Sequence, residues 1–347
     1  MTERKLASVQ KIKNVRPIEK ADKLEKANVE AYQVVIPKGI YKEDELVVFF
    51  EADSFLPIED RYSFLESSFK ENDIVGKGYR IRVQKLRGEV THGLVMSLKD
   101  FPEITNPIED LDVTELLKVK KWTAFSEDPI SGTGGSSKPW FVPTTDEIRL
   151  QSEIGLINEL KGKPYYISTK IDGMSVTMFY KDGEFGITSR KMSIPESRNN
   201  NIWKYAKKHD IKNRLRDLSD KLGKAIIIQG EFAGPKIQSN NLGLENYEWF
   251  VFNIFTEEED FKNKLMDIGD FLQTAEDLNL KTVPIEKTGL EFNMSLEDLA
   301  EQAKGYYPNG HIKEGIVVRS ADANFSDKLN KELSFKVLND DYWAQEK

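Results

Sequence analysis

Short apolar segments separated by turn residues fill the first hundred residues. Hydrophobic runs recur at residues 6–12, 29–36, 45–50, 79–83 and 93–97. Turn-forming clusters such as Pro37-Lys-Gly39 and Gly76-Lys-Gly78 lie between them. Five short strands with this spacing are typical of a small closed barrel of the OB type. We therefore predict an amino-terminal OB-type β-barrel, with a helix or an ordered loop over residues 55–69.

The second half of the chain alternates apolar strand patterns with amphipathic helix patterns. The predicted strands lie at residues 164–170, 174–180, 184–189, 225–232, 248–255, 314–319 and 333–338. The predicted helices lie at residues 198–222, 261–278 and 295–304. Ser295 and Asp298 give the last helix a capping-box start. The whole chain is therefore predicted to be α+β, with antiparallel sheets and flanking helices in the second domain.

A Gly- and Ser-rich stretch at residues 126–138 has the composition of a linker. We place the domains at 1–125 and 141–347, with the linker at 126–140. Residues 108–122 mix acidic and apolar positions, and we expect a connecting segment with some helix there.

The composition limits the metal sites, cross-links and partners that the chain can have. The chain has no Cys and three His, which excludes disulfides and thiolate zinc sites and favours a hard ion on oxygen ligands. No run of about 18 apolar residues occurs, so we expect no membrane span. The start has no signal-peptide core, and we expect a cytoplasmic monomer, with nuclear or organellar locations left open for a eukaryotic source. The net charge of −8 argues against nonspecific coating of nucleic acid but allows a local basic groove.

The run Ser168-Thr-Lys170-Ile-Asp172-Gly173 stands between two predicted strands. A neutral Lys170 amine is a nucleophile toward phosphorus, and both burial and a nearby divalent metal lower a lysine pKa. Asp172 could hold the water shell of that metal, and Gly173 lets the chain pass close to a phosphate or sugar. The alternative is a solvated Lys–Asp pair on a hairpin.

Further charged and aromatic residues lie upstream of Lys170 or within and beside the predicted strands. They are Arg149, Arg190, Glu231, Phe252, Glu314 and Lys336. A carboxylate next to a buried strand needs a metal, an arginine or a hydroxyl as a partner. A lysine between apolar neighbours suits a phosphate in a cleft. Each residue taken singly could instead be a surface charge or, for Phe252, a core residue.

In this order the segments resemble the covalent nucleotidyltransferase superfamily of ligases and capping enzymes. Lys170-Ile-Asp-Gly173 is similar to its first motif, Ser189-Arg190 to the next, Phe252-Asn253 to the base-stacking motif, and Glu314-Gly315 and Phe335-Lys336 to the last two. The segment from Gln229-Gly-Glu231 to Asn240 resembles nick-sealing RNA ligases of the ligase-2-like group. An OB-like module placed before the ligase domain is similar to one subgroup of these enzymes.

The resemblance implies an ATP-grasp-like nucleotidyltransferase domain and three phosphoryl or nucleotidyl transfers. Lys170 would attack ATP to form a lysyl-adenylate, AMP would pass to a 5′-phosphate end, and a 3′-hydroxyl would then form the phosphodiester bond. It implies Glu231, Glu314 and Asp172 around Mg²⁺ or Mn²⁺, through waters, and Lys336 on phosphates. The implied nucleotide-binding residues are Arg149, Gln151, Thr169, Gly173, Arg190 and Phe252.

Two positions depart from that pattern. The last motif of the family usually has two lysines one residue apart, and here Ser334 takes the place of the first. Lys328 or Lys331 could compensate, although neither has the matching spacing. Asn253 stands where many relatives have Asp.

The amino-terminal domain has a basic stretch of its own. Arg80, Arg82, Lys85 and Arg87 lie between residues 77 and 87, which contain no acid. If they form one stripe, it would follow a phosphate backbone and grip the 3′-hydroxyl side of a break. The alternative is a charged edge strand that prevents aggregation.

We therefore expect an RNA ligase acting on nicked duplex RNA, with RNA on the 3′-hydroxyl side and an RNA/DNA hybrid as an open variant. The rival enzymes are an ATP-dependent DNA ligase and a guanylyltransferase that caps RNA. The rival from another class is an OB-fold nucleic-acid-binding protein with an inactive ligase-like domain.

Overall fold

A computed structural model describes residues 4–123, 136–258 and 262–345. The chain divides into two compact units, Met1–Ser126 with Asp340–Lys347, and Glu127–Asn339. Most of the predicted linker, residues 126–135, lies outside the described residues.

The first unit is built from antiparallel strands, as predicted. They are β1 (Ala7–Pro17), β2 (Leu24–Val29), β3 (Tyr32–Pro37), β4 (Leu46–Glu51), β5 (Ser54–Leu56), β6 (Phe69–Asn72), β7 (Gly76–Arg80), β8 (Gln84–Leu86), β9 (Glu89–Thr91), β10 (Gly93–Ser97) and β11 (Lys120–Lys121). One sheet has the order β10-β4-β1-β2-β3, another has the order β11-β5-β7-β6, and β8 pairs with β9. Val9, Val48 and Phe50 are among the side chains that fill the core between them.

The helix or ordered loop predicted over residues 55–69 is confirmed: after β5, a 3-10 helix covers Asp60–Ser68, in which Tyr62 is buried. Another local prediction for this unit was wrong. Residues 108–122, all of them described, contain turns and the short β11 where we expected some helix. The predicted strand at 79–83 begins earlier and ends at Arg80.

The second unit contains two larger antiparallel sheets. Its strands are β12 (Tyr165–Thr169), β13 (Met174–Lys181), β14 (Glu184–Thr188), β15 (Ile226–Ala233), β16 (Glu248–Glu257), β17 (Asn263–Leu265), β18 (Ile285–Gly289), β19 (Gly315–Ser320), β20 (Phe325–Ser326), β21 (Lys331–Glu332) and β22 (Ser334–Leu338). The sheet orders are β18-β12-β19-β22 and β14-β13-β15-β16-β17, and β20 pairs with β21. All seven predicted strands are present.

The helices of this unit each bury one face. They are α1 (Leu156–Leu160), α2 (Asn201–Lys208), α3 (Ile211–Leu222), α4 (Ile268–Asp277) and α5 (Leu296–Ala303). The predicted helix at 198–222 is broken because Asp210 adopts a left-handed conformation, with φ of 51°. The Ser295 capping box is present as predicted. Leu299 of α5 packs in the same core cluster as Ile316, Val318 and Phe335, so the other face of that sheet remains for polar residues.

A last helix, α6 (Asp340–Gln345), belongs to the first unit, whereas the predicted second domain ran to residue 347. His92 Nε2 lies 2.8 Å from Asp340 Oδ1, and Lys85 forms an ion pair with Asp341. These contacts explain why the chain end groups with the first unit. None of the described helices has the length and hydrophobicity that a membrane crossing requires.

Candidate active site

The Lys170 side chain lies at the end of β12, among carboxylates. Its Nζ donates to Glu314 Oε2 at 2.7 Å, and the side chain is 23% exposed. Asp172 and Glu231 act on it electrostatically as well. The structure therefore brings together four of the five residues predicted to be catalytic, from β12, the loop after it, β15 and the start of β19.

Close backbone packing sets the positions of these side chains. A Cβ on Gly173 would lie 2.7 Å from the Phe232 carbonyl oxygen and 2.9 Å from Glu231 Cγ. Only glycine therefore lets the loop after Lys170 approach β15 so closely. Gly315 has φ of 146°, and a Cβ there would meet the Val337 carbonyl oxygen at 2.3 Å. Both glycines are needed for packing against neighbouring strands, which differs from the phosphate approach predicted for Gly173.

The protonation states of the pocket follow from its excess of acid. Burial alone would lower the pKa of Lys170, but the charges of Glu314, Glu231 and Asp172 outweigh it and raise that pKa. Burial raises the pKa of Glu231 to about 8; Lys170 lowers that value, and the like charges of Glu314 and Asp172 raise it. The amine is therefore a cation at rest, held by more carboxylate than one cation balances.

Two residues that the sequence did not indicate hold the pocket together. The Tyr307 hydroxyl donates to the Lys170 carbonyl oxygen at 2.7 Å and accepts from the Glu314 amide at 3.2 Å. Asn241 Nδ2 donates to Asp172 Oδ2 at 2.7 Å. Burial raises the pKa of Tyr307 far above its usual range, so its hydroxyl stays protonated and can donate. Neither residue lies in a strand pattern, so periodicity gave no signal, although Asn241 directly follows the segment that ends at Asn240.

Cations line the adjoining part of the same sheet. Lys336 in β22 lies opposite Val317 in β19. Arg149 forms a parallel bridge with Lys336, whose amide donates to the Ile148 carbonyl oxygen at 2.9 Å. The structure thus brings Arg149 and Lys336, 187 positions apart in the chain, onto neighbouring backbones.

The other predicted nucleotide-binding residues have varied surroundings. Arg190 Nη1 donates to Asp146 Oδ1 at 3.0 Å, and Thr169 Oγ1 donates to Glu286 Oε1 at 2.8 Å. The ring of partly buried Phe252 lies 5.6 Å from the Arg319 guanidinium. Gln151 is partly exposed in the 3-10 turn Leu150–Ser152. Thr169 is therefore engaged with Glu286, which the sequence did not indicate.

The carboxylates of this pocket fit a divalent cation. Glu231, Glu314 and Asp172 are hard oxygen ligands, and burial together with the like charges of the other two raises the pKa of Glu231. Within the part of the chain that the structure describes, no three His, Cys, Asp or Glu residues are arranged to ligate an ion directly. This arrangement suits an ion that keeps its water shell, as Mg²⁺ often does.

The basic stretch of the first unit does not form the stripe that we predicted. Arg80 is buried, with its side chain 7% exposed, 3.5 Å from Asp53 and 5.5 Å from the centre of the Trp122 ring. Because β7 ends at Arg80, strand alternation does not extend to Arg82. Lys85 and Arg87 are exposed on the β8–β9 hairpin, and Arg82 is partly buried. The Arg80 guanidinium lies inside the unit, so its position does not support the predicted contact with nucleic acid.

Comparison with known proteins agrees with this arrangement. A family described as RNA ligase matches residues 163–338, just over half the chain, and an OB-fold domain family matches residues 6–98. The OB-type prediction for the first domain is thereby confirmed. A comparison with curated protein sequences found no match.

Solved structures of a Naegleria gruberi RNA ligase are similar along nearly the whole chain. The form with PPi has a TM-score of 0.85 at 29% identity, covering 98% of each chain. A mutant with AMP and Mn has a TM-score of 0.87 at 29% identity, covering 99% of each. Another mutant, with ATP and Mn, has a TM-score of 0.82 at 30% identity, covering 98% of this chain and 97% of that one. With this fold, this pocket and the family match over residues 163–338, the chain belongs to the RNA ligase family.

Proposed function

We propose that this protein is an ATP-dependent RNA ligase that works through a lysyl-adenylate on Lys170. The observation that carries the proposal is the Lys170 amine, paired with Glu314 beside Glu231 and Asp172. The similar Naegleria gruberi structures with ATP and Mn and with AMP and Mn support ATP as the nucleotide.

In the first step the Lys170 nitrogen forms a bond to the α-phosphorus of ATP, and the bond from that phosphorus to the pyrophosphate oxygen breaks. AMP then passes from Lys170 to the 5′-phosphate of an RNA end. A 3′-hydroxyl finally attacks that phosphate, and AMP leaves as the phosphodiester bond forms. Negative charge develops on phosphate oxygens in each step, so preorganised cations lower the barriers.

Lys170 must lose its proton before it can attack, because only the neutral amine is a nucleophile. At rest, Glu314, Glu231 and Asp172 hold the proton on it by raising its pKa. Mg²⁺ or Mn²⁺ bound through waters to these carboxylates would offset their charge, so that burial, which lowers the pKa, prevails. Glu314, at 2.7 Å, is placed to accept the departing proton.

The residues around the pocket receive the nucleotide. Lys336 and Arg149 contact phosphates, with Arg190 contacting a phosphate or ribose. Phe252 stacks on the base, a use that its partly buried ring allows. Gln151, Thr169 and Gly173 complete the pocket wall, Thr169 through its contact with Glu286.

The nucleic acid is RNA, and we propose that the substrate is a nicked duplex with RNA on the 3′-hydroxyl side, joined by the protein as a monomer. The exposed Lys85 and Arg87, with Arg82, form the basic surface of the OB-fold unit. Arg80 is no longer part of this surface. A 5′-phosphate strand of DNA remains within the proposal.

The nucleotide step is tested by incubating the full-length protein with α-labelled ATP and Mg²⁺ or Mn²⁺, followed by a denaturing gel. We expect label on the wild-type protein, none with GTP, none after chelation of the metal, and none on Lys170→Ala. Glu258→Gln, which alters only an exposed ion pair with Lys224, should label normally. Label that remains on Lys170→Ala would refute the assignment.

The end-joining step is tested with nicked duplexes that differ only in the sugars flanking the nick. We expect sealing with a ribonucleotide on the 3′-hydroxyl side and little or none with a deoxyribonucleotide there. Equal sealing of all-DNA nicks would assign a DNA ligase, and adenylation of the protein without any sealing would reject end joining.

A further inference from the structure

Glu147 is a partly buried carboxylate, with its side chain 12% exposed, that contacts two cations beside the proposed nucleotide pocket. Its Oε2 accepts from Lys331 Nζ at 3.0 Å and from Ser334 Oγ at 2.5 Å, and its Oε1 lies 3.4 Å from Arg319 Nη2. Burial would raise the pKa of Glu147, but Lys331 and Arg319, with the Ser334 hydrogen bond, lower it to about 2. Glu147 is therefore a fixed anion that orients two cations.

Strand register places this cluster on the same sheet face as Lys336. Ser334 lies two residues before Lys336 in β22, and Glu147 lies two residues before Arg149, the bridge partner of Lys336. Arg319 in β19 lies opposite Ser334. Residues two apart in a strand share a face and are separated by about 7 Å. The Glu147 cluster is thus the next position along the cleft wall that carries Lys336 and Arg149.

Two cations of this cluster, Lys331 and Arg319, form ion pairs with the one carboxylate of Glu147, while Glu332 also acts on Lys331 electrostatically. The other acceptor of Lys331 is the Asp146 carbonyl oxygen at 2.7 Å. The Lys331 ammonium group has three N–H donors, and among the described residues these two acceptors take two of them. One N–H is left for another acceptor. The Lys331 side chain is 24% exposed, whereas the Arg319 side chain is 6% exposed. Lys331 is therefore the cation of the pair that an incoming anion can reach.

Arg319 holds the inner side of this cluster. Its Nη1 donates to Ser168 Oγ at 3.0 Å, and its guanidinium lies 5.6 Å from the Phe252 ring. Because its side chain is only 6% exposed, Arg319 stays behind Lys331, which remains the cation that an anion can reach.

The structure also separates the two lysines of this hairpin. Lys328 Nζ pairs with Glu153 at 3.1 Å, and its side chain is 47% exposed. Lys331 shares its carboxylate oxygen with the Ser334 hydroxyl, at the position where the last motif departs from the family pattern. Lys331 thus places an ammonium group beside Ser334, the position where the family pattern has a lysine and this chain has a hydroxyl.

We propose that Lys331 is a phosphate-binding residue of the nucleotide pocket, oriented by Glu147, and that it supplies the positive charge that Ser334 does not. The proposal adds a residue to the proposed nucleotide transfer. Its reaction test rests on that proposed function, whereas its binding test does not.

The binding test uses the full-length Lys170→Ala protein, so that ATP is bound and not consumed. ATP and adenosine are titrated with and without an added Lys331→Ala change, and with Lys328→Ala as the matched control. A lost charged hydrogen bond should weaken ATP binding about 10- to 100-fold. Adenosine binding should change less than about threefold in Lys331→Ala, and both ligands less than about threefold in Lys328→Ala.

Equal weakening of ATP and adenosine would assign Lys331 a structural role and overturn the proposal. So would an ATP affinity of Lys331→Ala that matches Lys328→Ala. If Lys331→Ala fails to fold, as judged by its melting temperature, Lys331→Gln takes its place, because it keeps the length of the side chain without the charge.

The reaction test asks whether a lysine at position 334 restores the function. In the otherwise wild-type protein, Lys331→Ala should lower kcat/KM for self-adenylation about 10- to 100-fold, and the double variant Lys331→Ala/Ser334→Lys should recover about tenfold. A Lys331→Ala rate equal to wild type would contradict the proposal. A wild-type protein that never becomes adenylated would refute the proposed function, while the ATP-against-adenosine comparison would still decide the role of Lys331.

Discussion

Lys170 and Arg80 were both predicted from the sequence to act on phosphates, and their surroundings differ. Lys170 has Glu314 at 2.7 Å with Glu231 and Asp172 nearby, and its side chain is 23% exposed. Arg80 has Asp53 at 3.5 Å and the Trp122 ring at 5.5 Å, and its side chain is 7% exposed. The Lys170 pocket carries more carboxylate than it needs. Around Arg80 the charges balance, because Arg80 and Arg4 face Asp53 and Glu51.

This difference shows two features that distinguish a ligand-binding site from a structural one. Its local charges are unbalanced, and a ligand can reach them. An excess of buried acid costs free energy that folding alone does not recover, so it indicates a ligand that arrives later. A balanced and inaccessible pair contributes to the fold and leaves no room for a ligand.

The largest expected effect comes from removing one charge from the Lys170 pocket. Glu314→Gln keeps the size of the side chain but loses the nearest carboxylate, and we expect self-adenylation to fall about 100- to 1000-fold. Because Glu314 raises the pKa of Lys170, its removal should move the alkaline rise of the remaining rate to lower pH. Single-turnover labelling across pH measures both effects.

The Glu258→Gln protein serves as the control, since its carboxylate pairs with Lys224 on the surface. A rate for Glu314→Gln within a few-fold of this control would remove the contrast with Arg80. An unshifted pH profile with a lowered rate would show that Glu314 acts without setting the charge of Lys170.

The next effect concerns stability rather than chemistry. Arg80→Ala leaves Asp53 without this partner and opens a cavity beside Trp122, so we expect a loss of about 3 kcal/mol in the free energy of unfolding of the first unit. Self-adenylation, a reaction of the second unit, should stay within about twofold of wild type. Denaturant unfolding followed by tryptophan fluorescence, alongside the labelling assay, measures the two outcomes.

Arg87→Ala is the matched control, because Arg87 is exposed on the β8–β9 hairpin. It should change stability by less than about 0.5 kcal/mol and weaken RNA binding in a salt-dependent manner. A stable Arg80→Ala protein with impaired RNA binding would restore the original prediction for Arg80.

Glu147 gives an intermediate case, a partly buried acid that forms ion pairs with two cations. Its pKa is lowered from 4.5 to about 2, so its ionised form stabilises the fold above about pH 4.5, and this contribution is lost as the pH falls from 4.5 toward 2. Glu147→Gln should therefore cost about 2 kcal/mol at pH 7 and progressively less in acid. Urea unfolding at several pH values measures the difference, and a pH-independent difference would contradict the ion-pair account.

Sequence patterns predicted most of the strands and helices of the second unit, because its strands are long and apolar. The runs at 226–232 and 248–255 correspond to β15 and β16, and the Ser295 capping box is present. The amphipathic period continues through His209 and Asp210, so the sequence predicts a single helix over 198–222. In the structure the left-handed Asp210 separates α2 from α3. A single backbone conformation of this kind has no signature in hydrophobic periodicity.

The candidate site was predictable where motif residues carry it. The run around Lys170, Glu231 at the end of one predicted strand and Glu314 at the start of another were evident in the sequence, and the structure places these residues together. Tyr307, Asn241 and Glu147 were not found because their contacts span 69 to 187 residues of chain. The burial of Arg80 could not be predicted, because a basic stretch has the same sequence pattern whether its side chains face solvent or an internal acid.

The sequence by itself determined the alternation of strands and helices, the lack of cysteine chemistry and the choice of Lys170 as the proposed nucleophile. These follow from short-range periodicity and from the chemistry of residue types. Only the tertiary structure decided which charges are balanced: Arg80 by Asp53, Lys331 and Arg319 by one Glu147, and Lys170 by more acid than it neutralises. Charge balance depends on distance and burial in three dimensions, because electrostatic energy is set by the separation of groups in space and by the loss of water around them.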